Sequence, residues 1–308
     1  MEKTRIEWLD VAKGIVIMLM ILGHSDIPRC VSNVIFAFHM PFFFLASGLT
    51  TYFEKTSFER FCWNKLNTLG LPFLIYSTIN LILWPIAKGK LIPDFFVDFL
   101  AVGWKGVALW FVPVLFFALI LARIVYFVER KEIRYVITLM LSIISVLFHY
   151  YNITLPWNLS VVPFAAFFIL VGDFCKQYLL PLSTLCWKKW FWYAISLVIF
   201  VSLSQVWRMD MAWNNVAPMI PKIIAAMCGC YCIVKASVVI VEKIPHLSKM
   251  IQAVGKETYV ILAFSQIIIF YTNVFLKIGI IPKCTLLVVG LVLISYMKNH
   301  VVRIVKQK

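Results

Sequence analysis

The sequence predicts an all-α fold, a multi-pass transmembrane helix bundle of about ten helices with both termini cytoplasmic, on three observations. Hydrophobic residues fill 62% of the 308 positions and charged residues 14%, where a soluble globular chain carries about a quarter. Apolar runs of roughly 17 to 25 residues recur along the whole length, each long enough to cross a hydrocarbon core of about 30 Å as a helix. Lys and Arg fall in short clusters between the runs rather than in one basic stripe, so the net charge of +15 is a topology signal and no nucleic-acid partner is expected.

The first run, 11–28, follows Lys3 and Arg5 and carries Lys13 at its inner end; with no small-residue cleavage site after it, it stays as a helix. The second, 33–53, begins beyond Arg29 and closes on Lys55, Arg60 and Lys65. Run 67–87 leads out to Lys88, Lys90 and Lys105, and 107–128 returns to Arg123, Arg130, Lys131 and Arg134. Runs 135–151 and 159–175 go out and back to Lys176, Lys188 and Lys189. Run 191–207 reaches Arg208 and Lys222, and 217–241 comes back to Lys235, Lys243, Lys249 and Lys256. The last pair, 257–276 and 283–302, passes Lys277 and Lys283 and ends on Lys298, Arg303, Lys306 and Lys308. Counted this way, the inner side holds twenty-one of the 29 Lys and Arg residues, and losing or adding one helix would move whole clusters to the wrong face.

The outer connection 88–106 holds LIPDFFVDFLAVGW, too short to span and suited to an amphipathic or re-entrant segment that roofs a pocket. No repeat, low-complexity tract or linker divides the chain, so residues 1–308 are read as one integral membrane domain. The eight cysteines lack the spacing of a disulfide scaffold. Cys228, Cys230 and Cys232 sit about 200° apart around a helix with no His nearby, which makes them packing residues and leaves no metal site expected.

Ionisable groups inside a membrane helix are expensive and mark candidate sites. On the first helix Lys13 and His24 share one face about 16 Å apart, with Asp10 close to that face. His39 on the second helix enters at a depth similar to His24, so two imidazoles converge in this reading. Pro41 frees a carbonyl one turn back, and Ser47 and Thr50 lie on the His39 face. An imidazole with a pKa near neutral suits removal of a hydroxyl proton, and His39, Ser47 or backbone N–H groups suit a developing oxyanion. Lys13, Arg60 and Lys65 suit phosphates on the cytoplasmic face. Trp110, Trp157 and Trp213 on the outer side are read first as an interfacial belt.

RIEWLDVAKGIVIMLMILGH followed by IFAFHMPFFFLASGL resembles the opening of the membrane-bound acyltransferase-3 family, especially its fucose 4-O-acetylase-like branch. LGLPFLIYS, ALWFVPVLFFALIL, LPWNLSVVPFAAFFILVGDFCK and VGKETYVILAFSQIII are similar to later landmarks of that family, in the same order. The resemblance implies a bacterial inner-membrane enzyme of ten helices that passes an acyl group, usually acetyl, from cytoplasmic acyl-CoA to a hydroxyl of a cell-envelope glycan or lipid-linked sugar. No cofactor would be bound, acyl-CoA being a co-substrate. It sets Lys13 and His24 on the family's first-helix pattern and Lys65, with Arg60 upstream, at its cationic loop; together with the residue reading above, His24 and His39 are assigned catalytic roles, Asp10, Lys13, Arg60 and Lys65 donor binding, and Ser47 and Thr50 support. The chain departs from the family pattern at Lys13 and Lys65, where the family has Arg, at Thr68, and at Ser265, where many relatives have His. The rival class is a transporter or flippase for a polar or lipid-linked sugar, since intramembrane His and Lys also serve as proton relays. Against it stand the absence of repeats and the gathering of charge at one end of the bundle.

Overall fold

A computed structural model of the chain describes residues 6–25, 27–88, 92–104, 107–179 and 190–273, with 285, 289 and 290. These residues form helices α1 (Glu7–Gly23), α2 (Arg29–Thr50), α3 (Phe58–Lys65), α4 (Leu71–Lys88), α5 (Ile92–Val102), α6 (Phe111–Val125) and α7 (Lys131–Tyr150). There follow α8 (Val162–Phe174), α9 (Lys176–Leu179), α10 (Trp190–Val206), α11 (Met219–Lys243), α12 (Pro245–Lys256) and α13 (Thr258–Tyr271). No strand occurs among the described residues; Asp210 and Asn215 make an isolated antiparallel bridge.

Six helical stretches among the described residues are long and apolar enough to span a membrane: Arg29–Thr50, Phe58–Pro85, Ala108–Val125, Lys131–Tyr150, Pro156–Phe174 and Met219–Lys243. The pair α12 and α13, bent by 77° at its break, makes a seventh if counted as one span. Helix α10 is apolar but shorter, at 17 residues, and α1 has the same length. Of the expected tenth run, 283–302, only three residues are described, and both chain ends lie outside the described residues.

The chain divides into two compact units, residues 1–32 with 233–308 and residues 33–232. Each brings two helix backbones together through glycines, the small-residue device that lets membrane helices pack without a hydrophobic driving force. In the first unit α1 lies on α12, where a Cβ on Gly14 would fall 2.3 Å from the Ile251 carbonyl oxygen and one on Gly255 1.9 Å from that of Asp10. In the second, α2 meets α8: a Cβ on Gly48 would fall 1.9 Å from the Ile169 carbonyl oxygen, and one on Gly172 2.2 Å from that of Leu45. Around this crossing the core is aromatic, with Phe44 against Phe111, Phe164 against Phe168, and Phe38 edge-on to Phe200.

The segment Phe58–Pro85 starts well before the apolar run that predicts it. Ser57 caps its first turn, its hydroxyl accepting from the Arg60 amide at 3.4 Å, and α3 is polar enough that no apolar run announces it. A π-helical turn at Leu66–Gly70 then leads into α4. The connection expected on the outer side, 88–106, contains α5, an 11-residue helix too short to span.

Candidate active site

In the first unit, α1 stops at Gly23, so His24 caps the helix rather than lying inside it. The imidazole is half-buried, and its Nδ1–H donates to the Met20 carbonyl at 2.8 Å. A ring nitrogen facing a carbonyl must carry the proton, which leaves the lone pair of a neutral imidazole on Nε2. Toward the other end of α1, the Lys13 ammonium lies 3.8 Å from the Asp10 carboxylate. Asp10 is 7% exposed, and its own backbone carbonyl is the one pressed against Gly255. The Asp10/Lys13 pair is therefore held at the α1–α12 crossing.

In the second unit, α2 runs without a break through Pro41. His39 is 3% exposed, and its Nδ1–H donates to the Ile35 carbonyl at 2.9 Å, which repeats the His24 arrangement. Phe36 meets the ring edge-on at 5.0 Å. Ser47 and Thr50 bond back to their own helix, to the carbonyls of Phe43 and Ala46. Their hydroxyl protons are committed there, so in this state they offer oxygen acceptors rather than oxyanion donors. His24 and His39 belong to different units.

At one end of the second unit one of the predicted donor residues, Lys65, meets a set whose cations the sequence reading left as topology charges. Arg60 is exposed on α3. Lys65 reaches the Thr51 hydroxyl at 3.5 Å and lies over the Phe61 ring. The Thr51 carbonyl also accepts from Lys176, whose ammonium is 2.5 Å from Asp173. The other oxygen of Asp173 accepts from the Tyr126 hydroxyl, and burial, then this acceptor, push the Tyr126 phenol up, so it stays a donor. Arg134 stacks on the Tyr126 ring at 4.2 Å while bonding the Val128 carbonyl and Glu54. Tyr126, Lys131, Arg134, Asp173 and Lys176 line a cleft of about 390 Å³. Three cations face one carboxylate there, which suits an anion such as a phosphate ester.

The far ends of α7 and α8 carry a cavity of different character. The 3-10 turn Pro156–Val161 and the loop around Met211–Trp213 enclose about 160 Å³, and none of the lining residues carries a charge. Val102, at the end of α5, is part of the lining. In the neighbouring loop, burial pushes the Asp210 carboxyl up against the opposing pull of Arg208 and of the amides it accepts from.

The cleft residues that sequence reasoning left out of the candidate site are Tyr126, Lys131, Arg134, Asp173 and Lys176. Asp173, in the last turn of α8, was the available signal: a carboxylate at the end of an apolar run needs a partner. The model of the acyltransferase-3 family, described as an acyltransferase domain, matches residues 6–299. No curated protein and no solved structure matches the chain significantly.

Proposed function

Because the chain belongs to the acyltransferase-3 family, we propose that it is an integral membrane O-acyltransferase that moves an acyl group, acetyl in the first instance, from cytoplasmic acyl-CoA to a hydroxyl of a cell-envelope glycan or lipid-linked sugar. The observation that carries this reading is the His24 arrangement: Nδ1–H tied to Met20, the basic lone pair on Nε2. In the reaction the acceptor oxygen bonds the thioester carbonyl carbon, the C–S bond breaks, and the hydroxyl proton passes through Nε2 of His24 to the departing thiolate. His39, fixed in the same tautomer, is the second imidazole assigned to the chemistry.

The donor's phosphates fall to cations at the helix ends. In the first unit Lys13, held beside Asp10, serves as a point charge; in the second, Arg60 and Lys65 are assigned to the donor, and the cleft of Lys131, Arg134 and Lys176 adds three cations to those two. A bacterial inner membrane is the setting, and the openings of the first two helices favour the fucose 4-O-acetylase-like branch. Label transferred from radiolabelled acetyl-CoA to a glycan by the purified chain tests the proposal. A chain that moves a sugar across vesicles but never consumes acetyl-CoA would instead be the transporter.

A further inference from the structure

We propose that the uncharged cavity between the 3-10 turn Pro156–Val161 and the loop 209–217 is a binding site for a single neutral sugar ring. The claim rests on the acyltransferase reading only in calling that ring the acceptor.

Its walls are built of backbone in an uncommon conformation. Of the lining residues Asn158 (φ 58°) and Asn214 (φ 50°) are left-handed, as are, beside the lining, Trp157 (φ 58°) and Gly103 (φ 75°), where an added Cβ would lie 3.0 Å from the Trp157 Cα. Non-glycine residues hold such angles where surrounding contacts over-determine them, and such positions gather at ligand sites. The contacts are present. The Asn158 amide donates to the Ala212 carbonyl at 2.9 Å, and the His149 Nδ1–H donates to the Asn214 carbonyl at 3.0 Å. Asp210 accepts from the Ala212 amide at 3.2 Å, and Lys222, 2% exposed, donates to the carbonyl and side chain of Asn215 and to the Ala217 carbonyl. A buried lysine spent on tying down a loop is an expensive way to make an inert turn.

Inside this frame one polar atom is left over. Asn214 is 8% exposed and lines the cavity, and its side-chain oxygen is shut off from solvent with no hydrogen-bond partner among the described residues. A buried acceptor without a donor costs free energy, and because this oxygen has no accessible surface a ligand hydroxyl meets it only once the Asn214 side chain turns toward the cavity. Beside it Trp213 is 59% exposed and presents a flat apolar face with a polar edge. Thr154, Asn158 and Ser160 complete the polar part of the lining. A pyranose matches this set, with C–H groups for the indole and hydroxyls for the amides.

Size and charge narrow the class further. Pockets for drug-sized ligands begin at about 300 Å³, so 160 Å³ suits one ring rather than a chain. The lining offers no cation to a phosphate or carboxylate. The cationic cleft lies at the opposite end of α8, about 20 Å along a helix of 13 residues, so the second unit keeps an anion-suited end and a neutral end apart.

The test is saturation-transfer NMR on the purified full chain in lipid nanodiscs, which avoid glycoside detergents, without acyl-CoA. The probes are methyl β-glucoside, methyl β-galactoside and methyl N-acetyl-β-glucosaminide. We expect ring-proton saturation of at least one probe and affinity weakened at least about tenfold by Trp213→Ala but largely kept by Trp213→Phe. No competition by a sugar phosphate is expected. Glycoside binding that persists in a His24→Asn variant supports the pocket whatever becomes of acyl transfer. No saturation by any probe up to about 10 mM, or saturation unchanged in Trp213→Ala, overturns the pocket while leaving the acyltransferase reading to its own assay.

Discussion

The Nδ1–H of His24 donates to the backbone carbonyl of Met20 one turn earlier, at 2.8 Å, and this bond decides which ring nitrogen is basic. His39 makes the same bond to Ile35 at 2.9 Å. Asn can imitate the bond, because its Nδ2 stands where Nδ1 stands, but it has nothing at the Nε2 position.

This gives a clean separation at His39, which is buried and therefore structural as well as a candidate for chemistry. His39→Ala leaves a cavity and an unpaired carbonyl, and is expected to lose about 1–3 kcal/mol of stability together with activity. His39→Asn keeps the Ile35 bond. It is expected to melt within a few degrees of wild type and still lose acyl transfer; full activity in this variant would reduce His39 to packing.

Lys13 lies 3.8 Å from Asp10 on a helix fixed by the Gly14 and Gly255 contacts. Lys13→Met keeps the length and removes the charge, and should raise KM for acetyl-CoA by tenfold or more if about 1.4 kcal/mol of charge-assisted binding is lost. Lys13→Arg should retain much of the activity. A Lys13→Met enzyme with altered KM for the acceptor alone would remove Lys13 from the donor side.

Asp173 is the hub of the cationic end, bonded by Tyr126 and Lys176. Lys176→Met strands a partly buried carboxylate and should lower stability by about 1–3 kcal/mol, read as a fall in melting temperature. Adding Asp173→Asn should restore much of the loss, because the two sites are coupled. Additive losses in the double variant would show that the pair is not a unit.

Gly48 and Gly172 set the distance between α2 and α8. Gly48→Ala places a methyl where the Ile169 carbonyl oxygen stands, a backbone atom that cannot swing aside, and is expected to cost about 3 kcal/mol and most of the folded yield. Among the described residues nothing lies within 4 Å of a Cβ on Gly290, and Gly290→Ala serves as the control.

The long apolar runs were legible because hydropathy acts locally, and the starts of α7, α8, α10 and α13 fall within a few residues of their predicted positions. Helix α3 was not, since Ser57 and its polar face make an amphipathic helix without an apolar run. The end of α1 at Gly23 was also missed: the apolar run continues past it, so hydropathy alone buried His24 in a helix that stops one residue short of it. Arg134 and Lys176 were visible as charges but not as neighbours. Thr51, Tyr126, Asp173 and Lys176 come together only through packing across separations of up to 125 residues, and no periodicity encodes that. The orphaned oxygen of Asn214 likewise exists only once the loop around it is closed.

The central claim, acyl transfer with His24 as the proton-accepting group, is tested most directly by comparing wild type and His24→Asn in nanodiscs with radiolabelled acetyl-CoA and envelope glycan. Wild type is expected to place label on the glycan as a base-labile ester, and His24→Asn to lose about 10²–10⁴-fold of the rate with its melting temperature unchanged. Transfer by His24→Asn at the wild-type rate would contradict the account.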